Sequence, residues 1–168
     1  MNPRESTSPL RFPQGFGAGF SVVLFEPEIP LNVGSIARTC ACSGVPMHLV
    51  GRLGFHLDNR LARRAGLDYW ELAEVHIHRT WEEFSQLMSG RRMLFFSTRG
   101  GVAHWDVEYE AGDLLVFGSE RTGLPAKILG SGEGEVVAIP MEEGVRSLNL
   151  SNAVAIALYE ALRQQGLK

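Results

Sequence analysis

The sequence predicts an α/β fold, a mainly parallel sheet flanked by helices. Short apolar segments rich in β-branched and aromatic residues alternate with longer segments of helical periodicity. The apolar segments are nearly continuous rather than alternating, as expected of strands that are buried on both faces. Most of them end close to a glycine or a proline, where the chain can turn. Strands that alternate with helices in this way form a parallel sheet covered on both sides.

The positions of the elements follow from where each pattern begins and ends. Strands are predicted at 20–25, 45–50, 93–97, 114–117 and 136–139, with a possible short strand at 75–78. Helices are predicted from Asn32, which can cap a first turn, to Ser43, from Thr80 to Met88, and from Asn149 or Ser151 to Gln165. Thr80 and Glu83 have the spacing of a capping box.

Length and composition indicate one domain behind a flexible leader. The chain has 168 residues, which is enough to bury a substantial core. Residues 1–19 are rich in Pro, Gly and Ser and are predicted to be the leader, which leaves 20–168 as the domain. No stretch approaches the roughly 20 apolar residues that span a membrane, and the leader lacks the apolar centre of a signal peptide. We therefore expect a cytoplasmic protein with no membrane partner.

Charge and potential metal ligands narrow the classes of function. The formal net charge is −3, so any contact with nucleic acid must come from a local basic patch. The segment 51–69 is the candidate, since it contains Arg52, Arg60, Arg63 and Arg64. His76 and His78 would share one face of a strand, but no third ligand accompanies them, and no metal is expected.

Three predicted strands end in unusual loops, at 97–101, 118–125 and 140–149. Ligands of parallel sheets bind outside the carboxyl ends of the strands, so these loops predict a binding site. Such loops suggest phosphate binding, but the chain has neither a G-x-G-x-x-G nor a Walker A sequence, and a nucleoside-like ligand held by backbone groups fits at least as well. The alternative is that the glycines in these loops are turn residues only.

Two charged residues stand in places that call for a partner. Glu120 lies between Gly118 and Gly123, just past a buried strand. It is a plain turn carboxylate, an anchor for a neighbouring loop, or an acceptor for an RNA hydroxyl. Arg38 lies in a helix otherwise filled with Ile, Ala and Cys. It either binds an acidic or phosphate partner or lies on a solvated outer face.

Four segments in order resemble the signatures of the SPOUT RNA 2'-O-methyltransferases. The first is Glu26-Pro-Glu-Ile-Pro-Leu-Asn-Val-Gly-Ser-Ile-Ala-Arg38, and the second is Gly118-Ser-Glu-Arg-Thr-Gly-Leu-Pro125. The third combines Ile139-Pro-Met141 with Arg146-Ser-Leu-Asn-Leu-Ser-Asn-Ala-Val154. In addition, Arg63-Arg-Ala-Gly-Leu-Asp-Tyr69 is similar to a segment of the branch that methylates the tRNA wobble nucleotide, cytidine or uridine 34.

The resemblance implies a C-terminal trefoil knot, a homodimer with its active sites at the subunit interface, S-adenosylmethionine as methyl donor and tRNA as substrate. Residues implied for cofactor binding are Phe96, Gly118, Ile139, Met141, Ser147 and Leu148. The implied catalytic residues are Arg38, Glu120 and Asn149, and the candidate RNA contacts are Asn32, Arg60, Arg63, Arg64 and Tyr159. Many relatives read Gly-Pro-Glu-Thr-Arg-Gly in the second signature, so we expect Arg121 to leave its loop in a different direction.

Two other functions remain open at this point. One is a SPOUT 2'-O-methyltransferase that acts on ribosomal RNA, and the other is a non-catalytic RNA-binding protein that retains the fold. The role often given to the arginine of the first signature is general base, but a guanidinium stays protonated in proteins. We therefore expect Arg38 to bind a phosphate and stabilise developing negative charge, while Glu120 or a water takes the hydroxyl proton.

Overall fold

The computed structural model describes residues 19–56 and 69–166, and this part of the chain forms one seven-stranded parallel sheet. The strands are β1 (Ser21–Phe25), β2 (Met47–Val50), β3 (Val75–His78), β4 (Met93–Phe96), β5 (Val102–Ala103), β6 (Leu114–Phe117) and β7 (Gly134–Ala138). Their order across the sheet is β3-β2-β1-β6-β4-β7-β5, and all neighbours run parallel. The predicted parallel sheet is therefore confirmed. The leader prediction concerns residues that, except for Gly19, lie outside the described ranges.

Four helices are described, namely α1 (Pro30–Ser43), α2 (Trp81–Leu87), α3 (Ala126–Leu129) and α4 (Leu150–Gly166). The sequence prediction missed β5 and α3, which are only two and four residues long. It also began β2 too early. Val45 instead belongs to the cap that ends α1, because its N–H donates to the Cys40 carbonyl at 3.0 Å and it follows Gly44 in the left-handed conformation.

The two predicted helix starts had different outcomes. The prediction that Asn32 caps α1 is wrong, because the helix begins at Pro30 and its N-cap, Ile29, makes no side-chain capping bond. Proline suits a first helical position, where its missing N–H would have no intrahelical acceptor. At α2 the Thr80 cap is confirmed, because Thr80 Oγ1 accepts from the Glu83 N–H at 3.1 Å. The Glu83 carboxylate accepts from the N–H of Arg79 at 3.0 Å, one residue before the N–H that a standard capping box uses.

Each face of the sheet is covered by its own layer of helices. On one face, side chains of β1 such as Val22 and Leu24 pack in a cluster with Ile36 of α1 and Leu158 of α4. On the other, Val23 packs in a cluster with Phe84 of α2 and Ile128 of α3. Alternate residues of one strand thus point into opposite layers, which is why the strands read as continuous apolar runs. None of the helices in the described ranges is long and apolar enough to cross a membrane.

A group of histidines packs at the β3 end of the sheet. His48 and His78 are buried, and their Nδ1 and Nε2 atoms lie 2.9 Å apart in a hydrogen bond. The rings of His76 and Phe84 lie against the His48 ring at 4.9 and 5.6 Å. Burial lowers the pKa of His48 from 6.5 to about 3, with smaller contributions from the charges of His76, His78 and Arg91. Burial also lowers the pKa of His78.

We predict that acidification destabilises the fold through His48. The folded protein holds His48 neutral, whereas the unfolded chain takes up a proton as the pH falls below 6.5, so stability decreases between pH 6.5 and about 3. The limiting slope for one such group is about 1.4 kcal/mol per pH unit. Urea unfolding between pH 6.5 and 5 measures this slope above the titration of most carboxylates. His48→Asn should reduce the dependence of the unfolding free energy on pH, whereas His56→Asn, at an exposed position, should leave it unchanged. Equal slopes in the two variants would contradict the assignment.

Candidate active site

One cavity of about 750 Å³ lies at the carboxyl ends of β4, β6 and β7. Its volume falls in the roughly 300–1,000 Å³ range of small-molecule and cofactor sites. The loops at 97–99, 118–125 and 146–149 all contribute to the lining, so the three loops singled out in the sequence do meet. The six residues implied for cofactor binding all line the cavity: Phe96, Gly118, Ile139, Met141, Ser147 and Leu148.

The floor of the cavity is aromatic. Phe96 and Phe117 are the last residues of β4 and β6, and the sheet register places them side by side. Their rings stack at 4.6 Å between centroids with an interplanar angle of 13°. Both side chains are nearly buried, so they present an apolar surface at the bottom of a cavity whose other walls are loops and helix residues. Phe117 was not singled out in the sequence, although it is the neighbour of Phe96 across the sheet.

The loop after β6 is a tight turn that brings the chain back onto itself. The Gly123 N–H donates to the Ser119 carbonyl at 2.9 Å, and the Ser119 and Thr122 hydroxyls are hydrogen-bonded at 2.7 Å. Gly123 has φ +67°, and a Cβ on Gly118 would lie 2.0 Å from the Gly123 carbonyl carbon. No other residue fits at Gly118 without moving the backbone. The turn directs Glu120 and Arg121 away from the cavity floor, toward the start of α1.

The carboxylate of Glu120 anchors the loop between β1 and α1. Its Oε2 accepts from the Glu28 N–H at 2.7 Å, and its Oε1 accepts from the Ile29 N–H at 3.1 Å and from Asn32 Nδ2 at 2.9 Å. An acidic group suits this position, because the first N–H groups of a helix have no intrahelical acceptor. Of the three readings that the sequence left open for Glu120, these contacts favour the loop anchor.

The hydrogen bonds continue from Asn32 into the third signature. Asn149 Nδ2 donates to Asn32 Oδ1 at 2.9 Å, and Asn149 Oδ1 accepts from the N–H and the hydroxyl of Ser151 at 2.9 and 2.6 Å. Asn32 is buried, and both ends of its amide are used within the protein. Its contacts thus join the loop after β6, the start of α1 and the start of α4.

Arg121 takes a different partner from Glu120. Its Nη2 lies 3.2 Å from Glu28 Oε1 in an exposed ion pair, on the outer side of the same junction. The structure therefore gives Arg121 a contact within the β1–α1 loop. Exposed pairs of this kind are worth little on their own, about 1 kcal/mol or less.

The remaining candidates lie away from the cavity lining. Arg38 is six residues beyond Asn32, about 9 Å farther along α1, and its side chain is exposed. Its Cζ lies 4.4 Å from the centroid of the Tyr69 ring, a partner that the sequence did not indicate. Tyr159 is 45% exposed on α4. Arg60, Arg63 and Arg64 lie outside the described residues, and within the described ranges no group of three or more His, Cys, Asp or Glu could hold a metal ion.

We predict that Glu120→Gln lowers the free energy of unfolding by about 1–3 kcal/mol, because one amide oxygen cannot replace two carboxylate oxygens and the new NH2 group faces other donors. Urea unfolding measures the loss. Glu142→Gln, at an exposed position after β7, is the matched control and should leave the stability unchanged. Equal stability of the two variants would show that the Glu120 contacts contribute nothing.

Comparison with known proteins identifies relatives along nearly the whole chain. A protein from Methylovorus glucosotrophus named tRNA (cytidine(34)-2'-O)-methyltransferase is 46% identical over 146 residues, which are 86% of this chain and 95% of that protein. A solved structure described as "Structural insights into the 2-OH methylation of C/U34 on tRNA" superposes with a TM-score of 0.83 at 41% identity, covering 89% of this chain and 97% of the other.

A more distant solved structure adds a bound cofactor to the comparison. It is an AdoMet-bound rRNA methyltransferase from Sinorhizobium meliloti, with a TM-score of 0.76 and 26% identity over 89% of this chain and 57% of that one. The model of the SpoU rRNA Methylase family matches residues 19–159, which is most of the sequence. The chain therefore belongs to the SpoU methylase family.

Proposed function

We propose that this protein methylates the ribose 2'-hydroxyl of the wobble nucleotide, position 34, of tRNA, with S-adenosylmethionine as methyl donor. The observation that carries the proposal is the match to the cytidine-34 enzyme of M. glucosotrophus over 95% of that protein's length. The rRNA methyltransferase from S. meliloti supports the alternative substrate less well, since this chain spans only 57% of it at 26% identity. A non-catalytic role is disfavoured because the six residues implied for cofactor binding all line one cavity.

The cavity fits a nucleoside-containing cofactor. It combines the stacked Phe96 and Phe117 rings with the backbone of the loop after β6, and Arg146 and Ser147 line it from the loop after β7. Bound there, S-adenosylmethionine would supply a methyl group on a positively charged sulfur, which is already electrophilic. We assign its binding to Phe96, Gly118, Ile139, Met141, Ser147 and Leu148, which all line the cavity.

The protein's own contribution is alignment and charge. Holding the reacting groups in line can supply roughly 7–11 kcal/mol of the barrier. Both oxygens of Glu120 already accept hydrogen bonds, so we assign Glu120, with Asn32 and Asn149, to positioning the loops, and leave the hydroxyl proton to a water. Arginine side chains are suited to binding phosphate, so Arg38 is assigned to the RNA phosphate and to the developing negative charge. Arg60, Arg63, Arg64 and Tyr159 are proposed as further RNA contacts.

We further propose a cytoplasmic homodimer that associates through α1 and α4. These helices pack against each other on one face of the sheet. Their outward sides carry Leu31 at 63% exposure and Ile156 at 39%, together with Arg38 and Tyr159. Ile29, Leu148 and Asn149 line the cavity at the same end of these helices, so a partner seated here would lie next to the cavity mouth.

The proposed domain, residues 20–168, would include a trefoil knot near its C-terminus. The strand order supports the knot. The chain leaves β4, forms β6 on one side of it and then crosses to form β7 on the other side, and α4 finally returns to pack on α1. A Cβ on Gly100 would lie 2.4 Å from the Val137 carbonyl carbon, so the loop after β4 lies directly against β7.

We predict methyl transfer to position 34 of tRNA. Tritiated S-adenosylmethionine and bulk tRNA from a strain lacking the enzyme should give label in ribose-methylated cytidine or uridine, identified by nucleoside mapping. A purified tRNA acceptor that already carries a 2'-O-methyl group at position 34 is the matched control and should take up no label. Label on a base, at another position or only in ribosomal RNA would contradict the proposed function.

We predict that Ile156→Glu converts the dimer to a monomer, because a carboxylate in an apolar interface must be desolvated without a partner. Sedimentation velocity measures the change in mass. Leu87→Glu is the matched control, because Leu87 is 67% exposed but belongs to α2, on the opposite face of the sheet. A dimer that persists in Ile156→Glu, or a wild-type monomer, would contradict this interface.

A further inference from the structure

The contact between Arg38 and Tyr69 lies outside the cavity and outside the Glu120 network. The Arg38 Cζ lies 4.4 Å from the centroid of the Tyr69 ring, which is within the distance of a cation–π interaction. We propose that Tyr69 is a positioning residue that holds the Arg38 guanidinium ready for an RNA phosphate. The proposal rests on the proposed function, because it takes Arg38 to be the residue that binds RNA.

The backbone fixes Tyr69 next to α1. The Tyr69 carbonyl accepts hydrogen bonds from the N–H groups of Leu72 and Ala73, at 3.0 and 2.9 Å, so the chain forms a short turn here. Trp70 and Ala73 pack against the same apolar cluster that contains the buried residues of α1. The backbone of Tyr69 therefore belongs to a turn that is anchored to the same layer as Arg38.

A ring serves this purpose better than a carboxylate would. Arg92 shows the contrast, since its Nε and Nη2 donate to the two oxygens of Asp113 at 2.8 and 2.6 Å and are thereby occupied. The Arg38 Cζ instead lies over the face of the Tyr69 ring, which attracts the positive charge but has no carboxylate oxygens to take up the N–H donors. The charge is held in place while its hydrogen-bonding edge stays available for the two oxygens of a phosphate.

The ring also restricts a side chain that would otherwise sample many conformations. Arg38 is exposed on α1, and arginine loses considerable rotamer freedom when it is fixed by a ligand. With the guanidinium already placed by Tyr69, less of this freedom is lost when RNA binds. Loss of the ring should therefore weaken tRNA binding and transfer only as long as Arg38 is present.

The test is a double-mutant cycle of Tyr69→Met and Arg38→Ala, read as Kd for tRNA and as kcat/KM for methyl transfer. Methionine keeps apolar bulk but lacks the ring. We expect Tyr69→Met to weaken binding by about 2- to 30-fold, the range of a cation–π contact, and to have no further effect in the Arg38→Ala background. Tyr69→Phe keeps the ring face, is the matched control and should stay close to the wild type.

Equal effects of Tyr69→Met in both backgrounds, or no effect in either, would overturn the proposal. If a variant of the cycle has a lowered melting temperature, a second series replaces the cycle. In this series Tyr69 is replaced by phenylalanine that carries one, two or three ring fluorines. Fluorination weakens the negative potential of the ring face with little change of shape. A stepwise loss of tRNA affinity supports the proposal, and constant affinity overturns it. Binding is measured without methyl transfer, so a failure of the proposed function at position 34 would be seen separately, in the wild-type transfer assay.

Discussion

The arrangement of the site depends on three N–H groups that donate to one carboxylate, that of Glu120. Two are backbone groups at the start of α1, and the third is the amide of Asn32, which in turn accepts from Asn149. The contacts join segments that are about 90 and 117 residues apart in the chain. Hydrogen bonds to an ionised group are stronger than neutral ones, so one residue can fix three loops against each other.

The parallel sheet makes this junction possible. All strands run in one direction, so the loops after β1, β4, β6 and β7 emerge at the same edge. The turn at Gly118 and Gly123 then brings Glu120 to the loop after β1, the neighbour of β6 in the sheet. The loop after β6 consequently lines the cavity and also carries Glu120. A substitution that breaks the Glu120 contacts should therefore change the cavity through the backbone of this loop.

The strands and long helices could be predicted from sequence because burial on both faces imposes a visible apolar pattern. The six cofactor candidates were found through motifs, and the structure brings all of them to one cavity. The start of α1 was missed because Asn32 has the character of a cap, yet its amide is used by two distant side chains. No local pattern reveals such partners. The same holds for Tyr69, since its contact with Arg38 depends on a turn and on packing that sequence spacing does not show.

The charges of the described site divide into two kinds. Both carboxylate oxygens of Glu120 accept hydrogen bonds from within the protein. Arg38, in contrast, is exposed and lies over the Tyr69 ring, which leaves its N–H groups available. A methyl group on a sulfonium needs no strong base for its transfer, but it does need an oxygen placed in line with the carbon–sulfur bond. In the proposed function, Arg38 outside the cavity and the Glu120 junction beside it meet that need. The net charge of −3 is compatible with the proposed action on RNA when positive charge acts at particular positions instead of across the whole surface.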